Sequence, residues 1–412
     1  MLKGKRILIV GSGLSGKSVF SYAKKVEAIP MFYSDRLDIN LKCFDLAVIS
    51  PAVSRSSREY IRVKGCGIPI YSELDFAYLA SPFRSISVTG TNGKTTTVNM
   101  VKGMLESAGV SSELLGNMGI PFTSRKSDNL QICELSSFML EQSKFYQSDY
   151  SCITNITVDH LDYHKTSEKY KKAKLKLISL TKDGIAYNPL SYPLPELNNK
   201  RLITYSLNRK TDIYIENGTV FYREKEIDYR LIDIDEIKIK GNNNIENALS
   251  AFALCILANG FNLKYADFLR VYKGERYRCE FVDVINGKNV YNDSKGTNVS
   301  SVISAYEKMN GTTAILLGGY DKGESYKPLL QRLTEGDIVF ISGDNRNEIY
   351  KDAIKCNVLA NNCKSLEEAI IKALNSKADN ILFSPGCSSF DRFSSYAERG
   401  KFFYDFIKSV KL

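Results

Sequence analysis

The stretch Ser85-Ile-Ser-Val-Thr-Gly-Thr-Asn-Gly-Lys-Thr-Thr-Thr97 constrains the fold more than any other part of the chain. It reads as a short strand that runs into a Gly-Lys-Thr turn and then a helix. A strand feeding a helix through a glycine turn belongs in a parallel α/β sheet. Such a turn points consecutive backbone N–H groups inward at a helix N-terminus, where partial positive charge gathers. Lys94 adds a full charge, and the Thr95 hydroxyl suits Mg²⁺. Gly90, Thr91, Asn92, Gly93, Lys94, Thr95 and Thr96 are the expected grip on nucleotide phosphates.

A second glycine loop, Gly11-Ser-Gly-Leu-Ser-Gly-Lys-Ser18, follows the expected strand Arg6–Val10. It satisfies both G-x-G-x-x-G and the fuller G-x-x-x-x-G-K-S pattern, whereas the Gly90 loop has Val88 in place of the first glycine. Context reverses the order that pattern alone suggests. After the first loop the chain returns through Pro30–Ser34 to Asp35, the spacing of a ribose-binding carboxylate. After the second come a strand-end glutamate, a histidine and a lysine-rich helix, the parts of a metal-assisted phosphoryl transfer. The first loop is expected to bind and the second to react. The bland alternative for the first loop is a plain turn whose glycines serve packing.

A chain of 412 residues has room for two or three domains, each with its own core. With 43% apolar and 25% charged residues it is not a disordered chain. Nine cysteines without a C-x-x-C pair argue against a disulfide framework and against a zinc knuckle. The net charge of +10 is spread along the chain, so a polyanionic small substrate explains it as well as a nucleic acid does. No apolar run approaches the length of a membrane span, and Ile7–Val10 is too short for a signal-peptide core. The expectation is a cytoplasmic protein.

The fold class expected is α/β with three domains. Residues 1–86 form a Rossmann-like unit with strands at Arg6–Val10, Met31–Ser34, Leu46–Ile49 and Ile68–Tyr71. Residues 87–274 form a P-loop ATPase-like parallel sheet with strands at Ile86–Thr89, Gln131–Glu134, Tyr150–Ile153 and Ile185–Asn188. A small antiparallel appendage occupies about 195–240, with strands at Asp212–Ile215, Val220–Tyr222 and Glu236–Lys240, and helical periodicity returns over Ile245–Asn259. Residues 275–412 form a second Rossmann-like unit that ends in a helix at Tyr396–Val410.

Several residues stand where chemistry is expected. Glu134 ends an apolar strand within reach of a metal at the Gly90 loop. The chain has only two histidines. His160, beside Asp159, is the better ligand candidate, and His164 reads as a surface residue. Lys174 lies in a lysine-rich helix, most of which reads as a solvated face. Asn244 and Asn247 share one face of a helix start, where they cap the helix or read a base. Asn292-Asp-Ser-Lys-Gly-Thr-Asn298, Leu317-Gly-Gly-Tyr-Asp-Lys-Gly323 and Phe383-Ser-Pro-Gly-Cys-Ser-Ser-Phe-Asp391 each follow a strand, on the ligand edge of a sheet.

Taken in order, GTNGKTTT, GNMGIP, ELSSFMLE, NITVDHLDYH, YKKAK, NNIEN, YRCE, NDSKGTN, LGGYDKG and SPGCSSFD resemble the Mur ligases, the ATP-dependent amino-acid ligases of peptidoglycan synthesis. The resemblance spans nearly the whole chain, and its first segment is shared with folylpolyglutamate synthetases. It implies ligation of D-glutamate to UDP-N-acetylmuramoyl-L-alanine through an acyl phosphate, with ATP and Mg²⁺ at two sites. Thr95 and Glu134 would hold one Mg²⁺. His160 and a carbamylated Lys174 would hold the other. Asn244, Asn247, Arg278, Asp293 and Lys295 match nucleotide contacts; Ser15 and Asp35 match the uridine-diphosphate site, and Asn117 a position near the muramoyl-peptide. Thr297, Lys322, Ser389, Phe390 and Tyr396 match the glutamate pocket. The implied protein is a monomer that engages neither nucleic acid nor a membrane. Ala52, Arg36, Asn243 and Gly386 depart from the family's usual residues, none of them at a metal or phosphate ligand. The rivals are a sister ligase for another amino acid, a UDP-sugar-sensing module without catalysis, and a nucleic-acid-stimulated ATPase.

Overall fold

The computed structural model describes residues 2–34, 40–51, 53–117, 120–157, 159, 161–193, 199–320 and 323–410, with 161 and 162 by backbone alone. Asp35, Arg36, Ala52, His160 and Lys322 therefore lie outside the described residues. The chain divides into two compact units, Met1–Lys273 and Gly274–Leu412.

The first unit opens with strands β1 (Arg6–Val10), β2 (Ile29–Phe32), β3 (Leu46–Ile49) and β4 (Ile70–Ser72), all parallel, in the order β2-β1-β3-β4. Helices α1 (Leu14–Lys25), α2 (Arg58–Gly65) and α3 (Glu73–Ala80) accompany them. Side chains alternate along β1, so Ile7 and Ile9 enter one core and Leu8 and Val10 the other. Ser57 and Ser72 start α2 and α3 by accepting the N–H of Tyr60 and of Asp75.

A second parallel sheet follows in the same unit: β5 (Ser85–Thr89), β6 (Ser112–Gly116), β7 (Leu130–Glu134), β8 (Ser148–Ile153), β9 (Thr181–Tyr187) and β10 (Arg201–Thr204), ordered β10-β9-β8-β5-β7-β6. Its helices are α4 (Lys94–Ser107), α5 (Ser137–Gln142), α6 (Leu161–His164) and α7 (Ser167–Ser179). Register pairs Val88 with Glu134 and Thr89 with Ile153, which brings the carboxyl ends of β5, β7 and β8 together at the Gly90 loop. Ile86 and Val88 pack into the core beneath α4. On the other face Ser85 and Ser87 hydrogen-bond the buried Tyr146 hydroxyl at 2.8 and 2.7 Å.

Strands β11 (Ile213–Glu216), β12 (Thr219–Glu224) and β13 (Ile227–Asp233) form the antiparallel meander, followed by α8 (Asn242–Asn259) and α9 (Tyr265–Leu269). Two expectations for this stretch are corrected. Arg201–Thr204 is a parallel edge strand beside β9, outside the antiparallel appendage. The strand placed at Glu236–Lys240 does not form; a 3₁₀ turn at Ile234–Glu236 replaces it. The Glu236 carboxylate reaches back to the Asp233 N–H at 3.2 Å and pairs with Arg270 at 2.7 Å, which favours a turn over strand pairing.

In the second unit β14 (Glu280–Ile285), β15 (Lys288–Asn292), β16 (Thr313–Leu317), β17 (Ile338–Ile341), β18 (Leu359–Asn362) and β19 (Asn380–Phe383) are ordered β14-β15-β19-β16-β17-β18. Only β14 runs antiparallel, paired to β15. Helices α10 (Val299–Tyr306), α11 (Lys327–Leu330) and α12 (Arg346–Lys355) pack on one face, and α13 (Leu366–Leu374) and α14 (Tyr396–Val410) on the other. The adjacent strands β15, β19 and β16 send their following loops to one sheet edge, where open α/β sheets hold ligands. No helix among the described residues is long and apolar enough to cross a membrane.

Candidate active site

The Gly90 loop is braced from two sides. Thr91 N–H and Asn92 N–H donate to the Asn155 backbone and side-chain oxygens at 2.9 and 3.0 Å. Thr154 Oγ1 donates to Asn92 O at 2.6 Å, and the Thr91 hydroxyl meets the Tyr170 hydroxyl at 3.0 Å. Gly93 stands before α4 at φ +84°, and a side chain there would begin 2.3 Å from Asn247 Oδ1. No side chain caps α4 and no acidic residue sits in its first turn. These bonds fix the loop by using the Thr91 and Asn92 N–H groups, so the uncapped start of α4 and the adjoining lysine are what suit it to phosphate oxygens. Asn155 and Tyr170 are parts of this site that sequence reasoning missed, although both fall inside segments it singled out.

Two lysines converge on one oxygen. Lys94 Nζ donates to Gly90 O at 2.7 Å and Thr91 O at 2.8 Å, while Lys174 Nζ donates to Gly90 O at 2.8 Å. Lys174 is 2% exposed and lies over the Tyr170 ring at 4.7 Å. Burial first, and the Lys94 charge second, hold its amine well below the usual lysine range. The expectation of a solvated lysine face thus fails at Lys174. It also fails in part at Lys176, half-buried against the carbonyls of Glu141 and Ser143.

Glu134 is 2% exposed. Its Oε1 accepts from Asn117 Nδ2 at 2.9 Å, and Asn117 N–H also donates to Glu134 O at 2.9 Å. Glu134 Oε2 is buried without a partner among the described residues, as is Thr96 Oγ1. An orphaned carboxylate oxygen beside a phosphate loop fits a hard divalent cation, which Mg²⁺-dependent sites hold by one or two carboxylates plus substrate phosphates. No group of three or more His, Cys, Asp or Glu gathers among the described residues, as such a site does not require. Thr95 is buried at the second position of α4.

His164 corrects its expected place on the surface. It is 4% exposed, hydrogen-bonds Ser137 Oγ through Nε2 at 2.9 Å and stacks on Phe138 at 5.5 Å. The aromatic residues Phe138, Tyr163 and Tyr170 around it supply the apolar surface that draws an imidazole inward. Asn244 caps nothing: α8 begins two residues earlier, and Asn244 Nδ2 donates to Lys240 O at 2.8 Å. Asn247 reaches Thr97 Oγ1 at 3.4 Å behind the phosphate loop. Ser15 lies half-buried in the first turn of α1, and Lys17 is exposed.

The second unit carries Asp293, Lys295 and Thr297 on the loop after β15 and Ser389 and Phe390 on the loop after β19, while Arg278 precedes β14 and Tyr396 opens α14. Asp293 is buried, its Oδ1 accepting from Cys279 N–H at 2.9 Å and its Oδ2 from Ser384 Oγ at 2.6 Å. Burial pushes its carboxyl up against those bonds and the Arg278 charge. Arg278 Nε is itself buried without a partner among the described residues. Lys295 N–H donates to Tyr277 O at 2.9 Å, and its amine lies 5.5 Å over the Tyr396 ring. Ser389 is buried, Thr297 half-buried, and Phe390 and Tyr396 are exposed.

A family model described as "Mur ligase middle domain" matches residues 88–255. The UDP-N-acetylmuramoylalanine--D-glutamate ligase of Thermoanaerobacter sp. (strain X514) is 32% identical, with 98% of each chain covered. Among solved structures, a pseudomurein peptide ligase type C from Methanothermus fervidus superposes with a TM-score of 0.65 at 16% identity, covering 99% of this chain and 100% of that one. A MurF ligase from Thermotoga maritima in complex with ADP superposes with a TM-score of 0.57 at 14% identity, covering 99% and 96%. Full-length likeness to a named ligase, on a sheet whose central loop is built for phosphate, places the protein: the chain belongs to the Mur ligase family, enzymes that use ATP to join a carboxylic acid to an amine.

Proposed function

We propose that the protein joins D-glutamate to UDP-N-acetylmuramoyl-L-alanine through an acyl phosphate. The observation that carries this reading is the meeting of Lys94 and Lys174 on Gly90 O, beside the buried Glu134. The full-length relative named for that same reaction supports the choice of substrates.

On this reading residues 1–86 hold the uridine-diphosphate end through Ser15 and Asp35, residues 87–274 hold ATP, and residues 275–412 hold glutamate. Gly90–Thr96 cradle the phosphates, and Lys94 neutralises charge on the transferring group. Electrostatic stabilisation of that kind is the larger part of such catalysis. Mg²⁺ would be held by Thr95 and Glu134 at one site and by His160 with carbamylated Lys174 at the other; it supplies further charge neutralisation on the phosphates. Asn117 orients the Glu134 carboxylate and lies near the muramoyl-peptide. Asn244, Asn247, Arg278, Asp293 and Lys295 contact the nucleotide, and Thr297, Lys322, Ser389, Phe390 and Tyr396 form the glutamate pocket.

The substrate carboxylate attacks the γ-phosphorus and ADP leaves. The glutamate amine then attacks the activated carbonyl, the carbon–oxygen bond breaks, and phosphate departs with that oxygen. Carboxylate alone has no adequate leaving group; phosphate provides one.

The test is phosphate release from ATP with UDP-N-acetylmuramoyl-L-alanine and each glutamate enantiomer. Release with D-glutamate alone supports the reading. Release with another amino acid from a panel points to a sister ligase, and UDP-sugar binding with no release points to a sensing module. Lys94→Ala should lower turnover by about 10²–10³-fold, the usual loss when a transition-state charge partner is removed. UDP-substrate affinity measured by calorimetry should stay near wild type.

A further inference from the structure

In the second unit Arg399, near the start of α14, is 3% exposed. Its guanidinium donates four hydrogen bonds. Nε reaches Ser294 Oγ at 3.1 Å, Nη2 reaches Ser294 O at 2.9 Å and Cys387 O at 3.0 Å, and Nη1 reaches Ser388 O at 3.2 Å. Every one of these acceptors is a neutral oxygen, and Asp391 acts on Arg399 only through space. A buried guanidinium without a hydrogen-bonded carboxylate is a costly choice where only packing is needed. Its five planar donors, however, can bind several backbone segments at once.

The segments it binds are the ones that carry the proposed glutamate pocket. Ser294 lies on the loop after β15, three residues before Thr297. Cys387 and Ser388 lie on the loop after β19, just before Ser389. Gly319, on the loop after β16, passes so close that a side chain there would begin 3.2 Å from Nη1 and 2.8 Å from Ser388 O. Ser294 Oγ relays the contact by donating to Tyr396 O at 2.8 Å. The groups assigned to the nucleotide in this unit have separate anchors: Asp293 is held by Cys279 N–H and Ser384 Oγ, and Lys295 by its N–H bond to Tyr277 O.

We propose that Arg399 is the positioning residue of the amino-acid pocket, joining the β15 and β19 loops so that Thr297 and Ser389 face one ligand. This rests on the assignment of those two residues to glutamate. Loosening the join falls hardest on the ligand that touches both loops, because Asp293 and Lys295 keep their own bonds to Cys279, Ser384 and Tyr277.

The experiment is steady-state kinetics of Arg399→Lys and Ser294→Ala, with KM taken for each of the three substrates and Tm recorded alongside. Lysine keeps the charge but cannot span both loops; alanine at 294 removes one acceptor and the relay to Tyr396. Loss of charge-assisted hydrogen bonds of this kind predicts a glutamate KM raised about 10–100-fold. The KM values for ATP and the UDP-substrate should stay close to wild type, and kcat should fall by less than KM rises. Equal changes in all three KM values, or a lower Tm with unchanged KM, overturn the proposal. If Arg399→Lys fails to fold, the same split measured on Ser294→Ala decides it. A wild-type enzyme that releases no phosphate with glutamate refutes the functional reading instead.

Discussion

Gly90 O accepts from both Lys94 and Lys174, and two ammonium groups on one oxygen repel each other in a site with little water to screen them. Lys174, the more deeply buried, is the one driven toward its neutral amine. A neutral amine is nucleophilic toward CO₂: the nitrogen–carbon bond forms, a proton leaves, and the residue's charge turns negative. That turns repulsion toward Lys94 into attraction and creates an oxygen ligand for a cation. Protein equilibrated with ¹³C-bicarbonate should therefore show a carbamate resonance that Lys174→Arg lacks; its absence from active wild-type enzyme would remove Lys174 from the proposed metal set.

A second buried group makes a pH prediction. Glu73 is 1% exposed; its Oε1 accepts from Thr123 N–H at 2.7 Å and Thr123 Oγ1 at 2.9 Å, while its Oε2 has no partner among the described residues. Burial pushes its carboxyl from 4.5 up to about 7. A raised carboxyl holds its proton more tightly in the folded state, so its contribution is complete below 4.5 and is lost as pH rises through about 7. Between pH 5 and 8 the stability of Glu73→Gln should improve relative to wild type, by at most roughly 3 kcal/mol. A stability difference independent of pH in paired melting curves would show that Glu73 does not titrate in this range.

At the scale of elements, α4 carries the phosphate loop and is fixed by its neighbours. Gly103 sits mid-helix where a side chain would begin 2.2 Å from the Phe268 ring of α9. Gly103→Ala should destabilise the first unit by about 1–3 kcal/mol, the usual cost of overpacking. Adding Phe268→Leu should recover part of that loss. Denaturant titration of the two single variants and the double variant reads the coupling, and strict additivity would mean that the two helices do not meet there.

The loops that bear chemistry were legible because glycine and polar runs interrupt apolar strands at Gly90, Asp293 and Gly318. The final helix was legible from its period. Pairing partners were not, because Arg201–Thr204 alternates much as the meander strands do and only tertiary contact decides that it joins β9. Strand β18 has an exposed, weakly apolar pattern at a sheet edge, which leaves little periodic signal. At the site, Glu134, Asn117 and Lys94 were named one by one, but the Asn117–Glu134 bond and the shared Gly90 oxygen depend on strands β5, β6 and β7 lying side by side. Buried His164 and the bracing Tyr170 were hidden because their settings depend on partners distant in sequence, Ser137 and Phe138 for the one and Thr91 for the other.

On the scale of the whole molecule, the first unit offers a phosphate loop with a buried carboxylate, and the second offers a buried Asp293 and a stapled set of loops. The proposed chemistry requires that a carboxylic acid and ATP react before the amine arrives. UDP-N-acetylmuramoyl-L-alanine labelled with ¹⁸O in its terminal carboxylate measures this directly, through mass analysis of the phosphate released during ligation with D-glutamate. The expected result is one labelled oxygen in each phosphate, carried over when the carbon–oxygen bond breaks. Unlabelled phosphate accompanying full product formation would contradict transfer of the γ-phosphoryl group to that carboxylate.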